Sequence, residues 1–332
     1  HDDDANDEED VSTMQPEREA RPEAILLCLT RACHMLELVT ENVTGNILVT
    51  SLIDTLITPA VRNSESNIRE LGVKCLGLCC LLDKQLATTS MYILGMCISK
   101  GNASLKYIAL QVIVDIFSVH GTSVLDGEGK VDSMSIHKIF YKVLKNDEHK
   151  DCQVVAAEGL CKLYLADLFT DDDLFEALIL SYFSPVNSSN EALVQAFAFC
   201  IPVYCFSHRS HQERMSRMAS DMFLRLCILW DGLQNSEDPD VDKEKMMKPN
   251  MIFQQLVFWT DPRKIVNQRE DSYQSEVSQL KFLIEILKVI TQIENKTVKR
   301  MILSNINSFY VVASQGSEVL GELHMHLQDI LD

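Results

Sequence analysis

The side chains that could do chemistry in this 332-residue chain are acids, thiols, imidazoles and cations. Asp126-Gly127-Glu128-Gly129-Lys130 gathers two glycines and a lysine, as a phosphate-cradling loop does. It lacks Walker spacing and the Ser or Thr that must follow the lysine, so it reads as a turn between helices. Asp171, Asp172 and Asp173 could hold a cation. Behind Thr170 as N-cap, however, they suit the first turn of a helix, where the dipole favours negative charge. His208 and His211 with Cys205 offer three ligands but no fourth at metal spacing, and read as a surface histidine pair at a helix start. His324 and His326 read the same way in a frayed terminal helix. No Ser or Cys has a His and an acid grouped near it in sequence. The eleven cysteines include no CxxC pair and fall on apolar helical faces, as Cys75, Cys79 and Cys80 do in one helix, Cys152 and Cys161 in another, and Cys200 and Cys205 in a third. They read as reduced core thiols of a cytosolic or nuclear protein. The expectation is no catalytic residue, no metal and no cofactor, hence no enzyme.

The cations suit phosphate binding. Arg62, Arg69, Lys100, Lys106, Lys145 and Lys150 recur at the turns that close one helix and open the next. Repeats stacked about 10 Å apart could each meet a phosphate of duplex DNA, which carries one charge per ~1.7 Å of axis. The competing reading pairs such residues, Arg69 and Lys106 above all, with acids of the adjacent repeat. Arg263 and Lys264 follow Phe258-Trp259-Thr260-Asp261-Pro262 at the start of a loop. Lys296, Lys299 and Arg300 crowd the start of a helix, where the dipole opposes cations. Both clusters are candidate DNA contacts, with an ordinary solvated face as the alternative. Phe253, Phe258 and Trp259 are candidates for partner binding, although aromatics at helical spacing also build cores. Thr58-Pro59 and Ser184-Pro185 fit the minimal proline-directed phosphorylation pattern and equally well end helices.

The elements that must position these residues repeat. Ile68, Leu71, Gly72, Cys75, Leu76 and Cys79 form an apolar stripe at helical spacing. Leu105, Ile108, Ala109, Val112, Ile113 and Ile116 form it again, as do Cys152, Val155, Ala156, Gly159, Leu160 and Leu163. A fourth helix, 190–206, carries Ala196 in phase and Pro202, which should kink or end its last turn. Gly72, Ala109, Ala156 and Ala196 lie 37, 47 and 40 residues apart, the range of HEAT and armadillo units. Each stripe follows another apolar helix and a short polar turn, at 62–65, 99–102 and 145–147. The fold expected is all-α, a curved HEAT-repeat solenoid of about seven to eight helix pairs. Regular repeats should fill 24–206 and looser ones 207–332, with loops near 231–248 and 261–275.

Residues 1–23 hold ten acids against Arg18 and Arg21, net −8 of the chain's −18, and read as a disordered acidic linker. The remaining 309 residues are only mildly acidic at −10. The most apolar stretch, Met251 to Trp259, is far shorter than the ~20 residues of a membrane span, so no membrane partner is expected. The chain opens on His1, and the helix at 22–39 lacks a preceding partner, so a fragment of a longer protein is expected.

The run from Asn67 to Leu82 resembles the HEAT repeats of the CAP-G-type, kleisin-associated subunit of condensin. So do Ala156-Ala-Glu-Gly-Leu-Cys-Lys-Leu163 and Ser184-Pro-Val-Asn187. Gln195 to Tyr204 is similar to that family's FFP-x-Y-like segment, and Gly101 to Phe117 looks like its budding-yeast branch. The likeness runs from about Ile25 to Val312 and implies the C-terminal part of a longer subunit. It would make the acidic tract an insertion between two solenoid halves. It implies a non-catalytic scaffold that holds the kleisin in its groove and with it clamps double-stranded DNA irrespective of sequence. It also implies indirect contact with the ATP-hydrolysing SMC subunits, and a role in mitotic chromosome condensation in the nucleus, on chromosomes and also in the cytoplasm. The competing function is a purely protein-binding HEAT scaffold, of transport-receptor or phosphatase-scaffold type.

Overall fold

The computed structural model describes residues 20–331, so the acidic tract expected at 1–23 lies outside the described residues up to position 19. Fourteen principal helices follow in order. They are α1 (Pro22–Leu36), α2 (Ile47–Val61, with one π-helical stretch over Ile53–Ile57), α3 (Ser66–Leu82), α4 (Lys84–Lys100) and α5 (Ala103–His120). Next come α6 (Ser133–Lys145), α7 (Lys150–Leu165), α8 (Asp172–Phe183), α9 (Glu191–Ser207) and α10 (Arg209–Gln234). Last are α11 (Pro249–Trp259), α12 (Ser278–Val289), α13 (Lys296–Ser304) and α14 (Ser317–Leu331). No strand occurs among the described residues.

The helices form two layers. In one, α1, α3, α5, α7 and α9 pack side by side, continued by α11 and α13. In the other, α4, α6, α8, α10, α12 and α14 follow one another. Pairs α2/α3, α4/α5, α6/α7, α8/α9 and α10/α11 thus stack, while α13 packs on α11 and α14 on α12. The stripes face inward: Ile68, Cys75, Cys79, Ala109, Ile113, Ile116, Ala156, Leu160 and Leu163 are all fully buried or nearly so.

Small residues set the helix spacing. A Cβ on Gly72 would lie 2.8 Å from Ala60 Cβ, inside its own pair. Gly77 and Gly159 act between pairs: a Cβ would lie 2.4 Å from Val112 Cγ2 at Gly77 and 2.5 Å from Val114 Cγ2 at Gly159. Helix α5 is therefore wedged between α3 and α7, a valine set into a bare stretch of backbone on each side. By length and a mean hydropathy of 1.4, Ala103–Val124 could cross a membrane, which corrects the choice of Met251–Trp259 as the most apolar stretch. Its apolarity serves the core, because α3, α4 and α7 all pack on it.

Asx side chains start the helices. Asp83, Asn102, Asp132, Asp171 and Asn190 cap α4, α5, α6, α8 and α9, each accepting a backbone N–H at 2.8–3.2 Å. The cap of α8 is thus Asp171, not the expected Thr170, because its Oδ1 reaches Leu174 N. Pro202 does not end α9 either: the helix runs on to Ser207 and the chain turns by 115° into α10. Buried amides tie the connections. Gln153 donates to Leu144 O and Asn187 Oδ1, and Asn190 donates to Gln153 Oε1. In the less regular part, Gln212 donates to Asp261 O at 2.9 Å, Gln279 to Val257 O at 2.8 Å and Gln315 to Glu276 O at 2.8 Å.

The close approaches fix the sign of a substitution. Alanine at Gly77 or Gly159 must push a β-branched neighbour, so each should lose about 1–3 kcal/mol in urea unfolding. Alanine at Gly321, in α14 with open space around it, should instead gain about 0.5–1 kcal/mol from helix propensity.

Candidate nucleic-acid and partner interface

The cations at the pair turns meet different fates. Arg62 is exposed at the end of α2, and Lys100 is exposed in the last turn of α4. Arg69 is half-buried and its Nη1 donates to Asn63 O at 3.1 Å, bracing its own turn rather than pairing with an acid of the next repeat. Lys106 is half-buried and lines a cavity of about 230 Å³ with Lys142, Asn146, His149 and Cys152. Lys145 lies 4.3 Å from the centre of the Tyr141 ring, and Lys150 donates to Ser189. Ion pairs to a neighbouring repeat are made instead by Arg214 and Arg217, both to Asp172, and by Arg225 to Glu176.

The two later clusters differ sharply. Arg263 is held two-pronged by Asp261, Nε to Oδ1 at 2.9 Å and Nη2 to Oδ2 at 2.8 Å, and lies 5.0 Å from the Tyr310 ring. That hydrogen-bonded carboxylate raises the guanidinium's pKa and neutralises its charge locally. Lys264 sits 5.4 Å from the Phe258 ring. Lys296, Lys299 and Arg300 stand at i, i+3 and i+4 on one face of α13, opposite the buried Val298 and Ile302. Among the described residues none of the three makes an ion pair, and Asn295 caps the helix beneath them. This is an uncompensated cationic face at a helix N-terminus.

The aromatic candidates separate. Phe253 is fully buried among Phe223, Phe282 and Phe309, and Trp259 is buried against Tyr182 and Phe183. Phe258 is 46% exposed, with Met251 at 53% beside it in the same groove. This groove, of about 360 Å³, runs between α9 and α11, lined by Ala198, Pro202, Met251, Gln254 and Phe258 among others.

One polar cluster escapes sequence reading. His211 is buried, not a surface residue, and bridges Asp167 Oδ1 at 2.7 Å and Ser207 Oγ at 2.9 Å, its ring stacked on Tyr204. Ser207 and His211 are four residues apart and legible as neighbours. Asp167 lies 44 residues away in a left-handed turn, and nothing local announces it. The Ser207 hydroxyl lies within hydrogen-bonding reach of both Tyr204 O, at 2.8 Å, and His211 Nδ1, at 2.9 Å. The acid, aromatic and imidazole groups of this cluster join the end of α7 to α9 and α10. No group of three or more His, Cys, Asp or Glu suited to a metal occurs among the described residues.

Stacked two-layer helix pairs with cations at their turns define an α-solenoid of the HEAT type. Residues 27–311 match the family described as nuclear condensing complex subunits, C-term domain. The chain is 66% identical over 322 residues to condensin complex subunit 3 of Saccharomyces cerevisiae, covering 97% of the chain and 31% of that relative. It is 30% identical over 245 residues to condensin complex subunit 3 of Schizosaccharomyces pombe, covering 74% and 27%. The crystal structure of the S. pombe condensin Cnd3–Cnd2 subcomplex superimposes with a TM-score of 0.77 at 25% identity, covering 92% of this chain and 39% of that one. The chain belongs to the condensin complex subunit 3 family, and it spans under a third of the length of these two curated relatives.

Charge reversal at Lys296, Lys299 and Arg300 should leave unfolding stability within ~0.5 kcal/mol per site, because no described partner is lost. Arg214→Ala should cost about 1–3 kcal/mol in the same denaturation assay, since it removes the donor to the buried Tyr204 Oη, while Asp172 keeps Arg217.

Proposed function

We propose that this chain is the C-terminal, solenoid-forming part of a CAP-G-type condensin subunit. It acts as a non-catalytic scaffold that binds the kleisin and, together with it, the backbone of double-stranded DNA in mitotic chromosome condensation. The uncompensated face of Lys296, Lys299 and Arg300 is the observation that carries the DNA reading. Three cations on one helical turn match phosphate spacing but present no flat array of donors and acceptors for base edges, so recognition is of charge and not of sequence. Arg62, Lys100 and Lys106 add single contacts along the turns. Arg263, already neutralised by Asp261, and Arg69, spent on its own turn, contribute least. Lys264 contributes only if it leaves the Phe258 ring.

The groove beside Phe258 is the kleisin site in this reading. It offers an apolar floor and an exposed aromatic anchor, while Phe253 and Trp259 support it from the core. The solved relative's assembly with Cnd2 supports a chain seated on this type of solenoid. SMC subunits, which hold the ATPase, are reached through the kleisin. The protein works in the nucleus and on chromosomes, with a cytoplasmic pool.

A mobility-shift series across salt, with and without a kleisin peptide, tests this. The triple reversal of Lys296, Lys299 and Arg300 should weaken duplex binding and flatten the slope of log K against log salt by up to ~0.9 per lost contact. An unchanged slope removes DNA from α13. Peptide binding with no DNA response at any salt leaves a purely protein-binding scaffold. Phe258→Ala should weaken the peptide by about 1–2 kcal/mol, roughly tenfold, without changing DNA affinity in its absence.

A further inference from the structure

In the layer of α6, α8 and α10 a trough of about 640 Å³ opens, and it shares no lining residue with the groove beside Phe258. Its floor is one face of α8, where Asp173, Glu176, Leu180 and Ser184 follow one another at helical spacing. Its walls are α6 and α10, which flank α8 and both pack on it. Tyr141 of α6 and Leu229 of α10 stand exposed at the rim. The described residues thus leave an apolar channel uncovered between two pairs.

Charge is divided along this channel. Asp173 and Glu176 line the end where α8 begins, and Arg225 is the cation that meets them there, its Nη1 3.0 Å from Glu176 Oε1. The ion pair misses the angle of a hydrogen bond, so that buried oxygen has no donor among the described residues. Burial raises the Glu176 pKa and Arg225 opposes it. Asp173 makes no ion pair among the described residues. Lys145 ends α6 at the other end, where Gln153 joins Leu144 O to Asn187 just beyond α8. It lies 4.3 Å from the centre of the Tyr141 ring and likewise has no described acid. One negative charge is therefore in excess at one end and one positive charge at the other.

We propose that this trough docks an extended peptide segment of a partner protein, with two apolar side chains on the α8 floor, a basic one at Asp173 and Glu176, and an acidic one at Lys145. Charge complementarity selects that occupant. A duplex would set its phosphates against the two acids, and an uncharged apolar molecule would leave both ends unmatched. An extended chain turns every second side chain to one face, so one short segment offers base, two apolar groups and acid in a row. The lengths agree. Asp173 and Ser184 are eleven helical rises apart, about 16 Å, while the ends of a seven-residue strand stand ~20 Å apart. The site lies in a different layer from the helices α9 and α11 that frame the Phe258 groove, so both can be filled at once.

The probe is the heptapeptide KSLSLSE, capped at both ends and labelled with fluorescein, titrated with the full chain by fluorescence polarisation. It should bind about two- to fivefold tighter than ESLSLSE or KSLSLSK, the scale of one exposed ion pair. Asp173→Lys should invert the order, so that ESLSLSE becomes the tightest of the three. Leu229→Glu, at the exposed rim, should weaken KSLSLSE by about tenfold, whereas Phe258→Ala should leave it unchanged. With photo-leucine at either apolar position, cross-links mapped by mass should fall on Tyr141, Leu180 or Leu229. No saturable binding up to about 1 mM, equal affinity for the three peptides, or cross-links confined to the Phe258 groove overturns the proposal. The wild-type cross-link map decides even where a variant folds poorly.

Discussion

The structure depends on the distance between neighbouring helices in the layer built from α1, α3, α5, α7 and α9. Val112 and Val114 of α5 rest on the bare backbone of Gly77 in α3 and Gly159 in α7. A solenoid has no central core, so each unit is stabilised only by its neighbours, and a change of separation at one interface is passed along the array. With Gly72 setting the distance within its own pair, these glycines fix spacing in both directions. The turns, and every cation mounted on them, inherit their positions from that packing.

Polar side chains solve the problem the glycines leave. Close stacking buries the ends of helices, whose carbonyl and N–H groups must find partners. Asx caps serve the helix starts, while Gln153, Gln212, Gln279 and Gln315 serve the connections. An amide both donates and accepts, so one buried glutamine can join two segments without burying a charge. Gln279 does so by donating to Val257 O and accepting from Tyr310 N at 2.9 Å. This is how the second half keeps the two-layer order after its spacing becomes irregular.

The repeat was legible because its period is written in apolar residues, and the stripe 68–79 predicts the buried face of α3 almost residue by residue. The small residue at each fifth position was legible too. Which of several glycines bears on a neighbouring repeat was not, since Gly77 and Gly159 differ in offset and only the docked partner, Val112 or Val114, distinguishes them. The site was legible in part. Lys296, Lys299 and Arg300 share a face by spacing alone, but spacing does not separate them from Arg263, whose charge is taken up by Asp261 only through the geometry of its turn. Phe253, Phe258 and Trp259 were indistinguishable in sequence, because burial depends on the packing of α9, α12 and the 306–309 turn. His211 was misread for the same reason: its acid comes from a different pair.

The net charge of an acidic chain does not set the potential at a given place on its surface, because its cations are unevenly paired. Screening at physiological salt limits the reach of an exposed charge to about 8 Å, so a phosphate senses the side chains around it and not the net −18. What matters is which cations are already neutralised within that radius. Arg209, Arg214, Arg217, Arg225 and Arg263 are each held by a carboxylate. Four of these, Arg209, Arg214, Arg217 and Arg225, join different segments of the solenoid, while Arg263 is held within its own turn. Lysines together with Arg62 and Arg300 carry the unpaired charge at the turns and on α13. A lysine ammonium is a mobile point charge that fits any phosphate geometry, whereas a committed guanidinium fits one carboxylate. That division lets the same basic composition both join the helix pairs and leave unpaired cations on the surface.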